Sequence, residues 1–270
     1  MTYTPVVPFS GYAGWKFLER TMEKQQAAFV ASAQVQRDED YFREKIGSIT
    51  SAEELVSDRR LLKVALGAFG LDDDINNKYF IRKVLEDGTI EPDALANKLS
   101  NKAYYNMSAA FGFGLSTPNT GMSDFADDIL SKYESRQFEI AVGDQDDSMR
   151  MVLNAQREFP EIAGSTSSQT TKWLKIIGST PLATVVKTAF GLPSAFGSLD
   201  VDKQVEMLSA KSEAFLGTKD PTDFTGDTLE KLTKLYLVRS QMTSGNSMSG
   251  NSTALMLLQN TSRSTFSLLV

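Results

Sequence analysis

Apolar positions recur along this chain mostly at three- and four-residue intervals, the spacing of one face of an α-helix. The clearest stretch is residues 61–71, where Leu61, Leu62, Ala65, Leu66 and Phe69 form a stripe and Gly70 follows the last aromatic residue. It returns at 182–192 as Leu182, Val185, Val186, Ala189 and Phe190, closed by Gly191. Both copies end in Ala-Phe-Gly-Leu. A glycine after the last apolar residue is a helix stop, because the left-handed C′ position costs glycine least. Pro181 suits the first turn of the second copy and Pro193 lies beyond its end. These features predict an all-α, multi-helical bundle containing two related helical repeats.

The remaining segments extend that pattern. Pro5 and Pro8 make residues 1–10 extended. Residues 11–35 read as one long helix whose stripe of Trp15, Leu18, Met22, Gln25 and Phe29 has a polar break at Gln25, and 39–46 read as a second helix ended by Gly47. Ser51 and Glu54 have capping-box spacing, and Asp58 is placed to cap the first repeat helix. Helices are expected over 78–86, from about 91 through Leu95 and Leu99, and over 101–111, 123–141 and 144–159, the last ended by Pro160. Residues 162–169 read as a loop, and Glu91-Pro-Asp is echoed by Asp220-Pro-Thr-Asp. The expected organisation is an N-terminal segment and long helix (1–50), a first repeat (51–115), a helical connector (116–170), a second repeat (171–239) and a Ser/Thr/Asn-rich tail (240–270). That tail carries no acidic residue and holds two apolar islands, 254–258 and 266–270.

Composition removes whole classes of chemistry. Among 270 residues there is no cysteine and no histidine, which excludes thiol nucleophiles, disulfides, Ser-His triads and His- or Cys-ligated metals. The net charge of −6 argues against nucleic acid as a partner, since phosphate binding needs a basic face. No apolar run is long enough for a membrane span, and the N-terminus has no Sec-type signal pattern. Asp72, Asp74 and Asn76 begin like a calcium loop, but Asn77 replaces its glycine and Lys83 its bidentate glutamate, so the segment reads as an acidic loop before a helix. No catalytic set, cofactor site or metal site is expected. The residues singled out as protein-partner contacts are Trp15, Leu18, Met22 and Phe29 on the first helix, with Leu255, Leu257, Leu258 and Phe266 in the tail.

A resemblance adds a biological setting. Pro5-Val-Val-Pro8, Gly11-Tyr-Ala-Gly-Trp15, Asp40-Tyr-Phe-Arg-Glu44, Asp58-Arg-Arg-Leu-Leu62, residues 65–71 and Phe80-Ile-Arg-Lys-Val-Leu85 together resemble a bacterial family of unknown function associated with flagellar gene clusters. The likeness spans nearly the whole chain and is most specific over 40–113; the second repeat departs more, at 199–202. The resemblance brings no catalytic residues. It implies a non-enzymatic structural or assembly role at the flagellum, exerted through helix-mediated contacts with flagellar proteins. The alternative is a cytoplasmic helical binding module such as an export chaperone or adaptor.

Overall fold

A computed structural model describes residues 3–245. They form thirteen α-helices joined by short helical turns, with no strand among the described residues. In order these are α1 (Gly11–Val30), α2 (Ala33–Lys45), α3 (Ala52–Ser57), α4 (Arg59–Phe69), α5 (Lys78–Asp87), α6 (Leu95–Lys98), α7 (Lys102–Phe111), α8 (Phe125–Gly143), α9 (Asp147–Gly164), α10 (Gln169–Gly178), α11 (Thr180–Phe190), α12 (Val201–Leu216) and α13 (Gly226–Gly245).

The helix signals act as local chemistry requires. The Asp58 carboxylate accepts hydrogen bonds from the Arg60 and Leu61 amides at 2.8 and 3.1 Å, satisfying two orphan donors of α4. Ser51 caps α3 through the Glu54 amide, while the Glu54 carboxylate reaches back to the Thr50 amide at 2.7 Å. At the other end of α4, Gly70 is left-handed at φ 70°. The Leu71 amide then bonds Leu66 O, and the Gly70 amide bonds Gly67 O. Gly191, Leu192, Lys187 and Thr188 reproduce this pair of bonds at the end of α11. Both copies therefore close with the same Schellman geometry.

Around these two helices the chain builds two related units. In the first, α4 lies along α8 and packs against α3, which also contacts α5; in the second, α11 lies along α13 and packs against α10, which also contacts α12. A preceding helix supports each unit: α2 lies against α4 and α8, and α9 lies against α11 and α13. The units differ most between the third and last helices, where the first unit inserts α6 and α7 and the second has a single turn at Pro221–Asp223.

Each unit has its own core. The first gathers Phe42, Leu55, Leu61, Phe69, Ile81, Met107, Phe111 and Tyr133; the second gathers Trp15, Phe29, Phe138, Val152, Phe159, Trp173, Phe190 and Tyr236. The stretch 116–170, expected as a connector, supplies α8 and α9, and α8 passes from one core (Phe125–Tyr133) into the other (Phe138, Val142).

Three boundaries differ from the sequence reading. The helix expected over 11–35 stops at Val30. Ser32 is extended, Gln36 bonds the Val30 carbonyl through its side chain at 3.0 Å, and Val35 joins the 39–46 segment in α2. The break lets α2 hold both cores, with Val35 in the second and Phe42 in the first, which a straight continuation of α1 would not do. Pro160 does not end α9, which continues to Gly164, so the loop expected over 162–169 is shortened. A proline interrupts only its own N–H bond and crowds one turn. Burial of Phe159 and Ala163 and the buried Lys172 ammonium, 2.9 Å from the Ala163 carbonyl, hold that last turn. Finally, α13 runs past residue 240 to Gly245.

Candidate functional site

A groove of about 350 Å³ opens between α1, α8 and α9. From α1 it takes Trp15, Glu19, Met22 and Gln26, whose 4-3-4 spacing puts them on one helix face. Ser135, Phe138 and Glu139 come from α8, and Leu153, Gln156 and Arg157 from α9. Trp15, Phe138 and Leu153 make a buried apolar floor, and Met22 is half-buried above it. One wall is held by ion pairing. Arg157 grips Glu139 with two bonds, 2.8 and 3.1 Å, and donates a third to Glu158 at 3.2 Å. Glu158 also accepts from Asn154 and from Ser179. Burial works against the charge on Arg157, but its bonds to Glu139 and the fields of Glu139 and Glu158 outweigh this and raise its pKa. The guanidinium therefore stays charged, and its bonds fix the wall. The groove offers shape, apolar contact and a charged edge, the attributes of a site for an amphipathic segment.

The residues expected to meet a partner are placed as follows. Trp15, Leu18 and Phe29 are buried in the second core. Phe29 meets Phe138 edge-on at 5.8 Å. Their apolar area is thus already removed from water within the chain. Of that stripe Met22 alone remains part-exposed on the groove. Leu255, Leu257, Leu258 and Phe266 lie outside the described residues. The polar break in the stripe has a specific use: the Gln25 side chain accepts from the Val6 amide at 2.6 Å and donates to the Val6 carbonyl at 3.1 Å. One carboxamide thereby pins the extended residues 3–10 along α1. On another side α1 runs antiparallel to α13, with Tyr12 and Lys16 both on Glu230 and Ser10 near Gln241.

A polar cluster lies where α2, α4 and α8 meet. Asp38 accepts from Lys63 at 2.6 Å, Gln34 at 3.1 Å and Tyr133 at 3.3 Å. Burial raises its pKa, yet these bonds prevail and hold it below the usual carboxylate range. Its neighbour Glu39 behaves oppositely: burial, followed by the charge of Glu134, pushes it up to about 7. These groups line neither this groove nor a second hollow of about 310 Å³ between α10 and α12. In the acidic segment at Asp72–Asn76, two carboxylates serve the fold, with Asp72 accepting from Gln137 and Asp74 from Tyr104. No described helix is long and apolar enough to cross a membrane.

The sequence reading missed a second half of the repeat. In α8, Tyr133 is followed three residues later by Arg136; in α13, Tyr236 is followed likewise by Arg239. Both tyrosines are buried. A Cβ on Gly70 would lie 2.6 Å from Arg136 Nη1, and one on Gly191 would lie 2.6 Å from Arg239 Nη1. Each guanidinium thus covers the C-terminal end of its partner helix, where the negative end of the helix dipole favours a cation. The Tyr-x-x-Arg repetition was visible as sequence, but only the fold joins it to Ala-Phe-Gly-Leu.

These features define an all-α protein made of two related helical units. Residues 68–224 match the family described as "Protein of unknown function (DUF1217)", and the chain belongs to that family. The crystal structure of protein AGR_C_984 from Agrobacterium tumefaciens is similar at 27% identity, with a TM-score of 0.67, over 86% of this chain and 97% of that one. No curated protein matches the chain.

Proposed function

We propose that this protein is a non-enzymatic assembly protein that receives a helical segment of a protein partner in the groove of α1, α8 and α9, and that its setting is the flagellum. The groove carries the reading: an apolar floor of Trp15, Phe138 and Leu153 beneath Met22, beside the fixed Arg157–Glu139 wall. Burying apolar area there favours association at about 25 cal/mol per Å² removed from water, and the charged wall sets the orientation of what binds. The flagellar setting rests on the family resemblance of the motifs between residues 5 and 85. Met22 also supports a second reading, an export chaperone or adaptor in the cytoplasm, because a flexible thioether suits varied apolar ligands.

The test is complementation of swimming in a strain lacking the gene. Met22→Glu places a charge over the apolar floor at a part-exposed position. It is expected to keep the helical circular dichroism spectrum and the melting temperature while failing to restore swimming. Full rescue by Met22→Glu would remove the groove from the function, and normal swimming of the gene-deleted strain would remove the flagellar role. Fractionation of cells separates the two readings: recovery with flagellar basal bodies supports the structural one, and recovery in the cytosol supports the chaperone or adaptor.

A further inference from the structure

The two units treat one crevice differently. Ser51 caps α3 and Ser168 caps α10, each accepting from the amide three residues on, so Glu53 of α3 corresponds to Thr170 of α10. α5 begins at Lys78 and α12 at Val201, and that register sets the buried Ile81 and Leu85 on the buried Gln204 and Leu208. Arg82 then corresponds to Val205, and Glu86 to Ser209. In the first unit the chain's own arginine occupies the crevice between α3 and α5. Arg82 pairs with Glu53 across it and with Glu86 one turn on at 3.5 Å, and lies over the Tyr79 ring. In the second unit Thr170, Val205 and Ser209 replace all three ion-paired groups, and they line the hollow of about 310 Å³ between α10 and α12.

The hollow is preformed and charged. Its back is fixed, because the Lys219 carbonyl accepts from the Trp173 indole, the Gln169 carboxamide and the Ser209 hydroxyl at 3.0, 2.8 and 3.3 Å. Its α12 wall carries Asp202 and Glu206, four residues apart and so on one helix face. Neither carboxylate is in an ion pair among the described residues. Like charges one turn apart repel each other, and a cation between them removes that cost. Their counterparts on α5 are Tyr79 and Lys83. The carboxylates thus line the crevice in the unit that lacks the internal arginine, and not in the unit that has it.

We propose that the hollow between α10 and α12 takes an arginine side chain from a segment of a protein partner, in the place that Arg82 fills in the first unit. A planar guanidinium presents several donors to carboxylates, as Arg82 does to Glu53 and Glu86. None of the lining side chains is cationic, so nothing there receives the α-carboxylate of free arginine, and the site suits an arginine within a chain. It lies on other helices than the groove of α1, α8 and α9 and stands independently of it.

The probe is N-acetyl-arginine N-methylamide, titrated into the nitrogen-15-labelled full-length protein and followed by amide and indole NMR shifts. Saturable shifts are expected at Thr170, Trp173, Val205 and Ser209. The neutral isostere, N-acetyl-citrulline N-methylamide, should bind about tenfold more weakly, the worth of one charge-assisted contact. The Asp202→Asn, Glu206→Gln variant alters only two exposed carboxylates and should lose that preference while keeping its circular dichroism spectrum. Thr170→Glu with Val205→Arg rebuilds the pair of the first unit inside the hollow and should abolish binding. Equal binding of the two probes by the wild type, shifts scattered away from the hollow, or unchanged binding by either variant would overturn the proposal. Tighter binding of free arginine than of the blocked probe would also overturn it, assigning the hollow to the amino acid instead of a protein segment.

Discussion

The two units share a frame and differ in how they treat their charges. Each closes its central helix with Ala-Phe-Gly-Leu and lays an arginine over the closing glycine. In the first unit that arginine, Arg136, is part-buried. Burial and the neighbouring Arg157 lower its pKa, opposed by the fields of Glu139 and Glu158, with Glu158 3.8 Å away. In the second, Arg239 is equally part-buried but stacks on Phe215 at 4.8 Å from the ring centre and leaves Nη1 without a hydrogen-bond partner. The supporting helices differ the same way. α2 meets α8 through Asp38, Glu39, Tyr133 and Glu134, whereas α9 meets α13 through the neutral bond from Gln156 to Thr233 at 3.0 Å. Conserving the frame while changing the contacts teaches that the frame is a matter of helix ends and apolar stripes. The polar contacts are free to answer to whatever lies beside each unit.

The largest expected effect tests the frame itself. Phe69 and Phe190 are both buried, one beside Phe111 at 6.4 Å and the other stacked on Phe215 at 6.0 Å. Truncating either to alanine should cost about 3–5 kcal/mol in urea unfolding, the range for a core phenylalanine. A loss under about 1 kcal/mol at both positions would break the equivalence of the units.

A smaller effect tests the arginine-on-glycine contact. Gly70→Ala and Gly191→Ala each force a side chain into left-handed backbone, at φ 70° and 63°, and into the guanidinium above it. Each should cost about 1–3 kcal/mol. Part of the cost should vanish when Arg136 or Arg239 is first shortened to alanine. Strict additivity of the two changes in a double-mutant cycle would show that the guanidinium does not bear on the glycine.

The smallest effect separates the units by pH. Glu39 has its pKa raised from about 4.5 to about 7, by burial first and then by Glu134, with Asp40 adding to the rise and Arg43 opposing it. The folded state therefore holds this proton more tightly than the unfolded chain. Its contribution to stability falls as pH rises from about 4.5 through about 7 and is constant above that. Glu39→Gln, which mimics the protonated form, should be about 3 kcal/mol more stable than the wild type at pH 8 and nearly equal to it at pH 4.5. Amide exchange should place the difference in α2 and α8 rather than in α9 and α13. An unchanged pH profile in the variant would mean that Glu39 is charged throughout.

Much of the frame was legible because its causes are local. Asp58 caps whatever helix begins beside it, Gly70 ends one at little cost, and the stripe of Leu182, Val185, Val186, Ala189 and Phe190 has a helical period whatever it packs on. The misplaced boundaries had causes far along the chain. Val30 ends α1 because Val35 and Phe42 must reach different cores. Pro160 is tolerated because Lys172 and the packing around Phe159 hold the turn after it. The groove was half legible: Trp15 and Met22 were singled out from their helix face, but Phe138, Glu139, Leu153 and Arg157 join them through the packing of α8 and α9 on α1.

The sequence by itself determined the all-α class, the repeated helix and its stop, and the absence of thiol and imidazole chemistry, since these depend on residue type and on spacing within a few turns. Only the tertiary structure decided that Trp15, Leu18 and Phe29 are buried in the chain's own core, that Gln25 serves as a clasp for Val6, and that Arg136 and Arg239 guard the two glycines. An apolar stripe states that a face must be buried but not what buries it. The answer depends on which distant helices arrive, and here α8 and α9 reach α1 before any partner does.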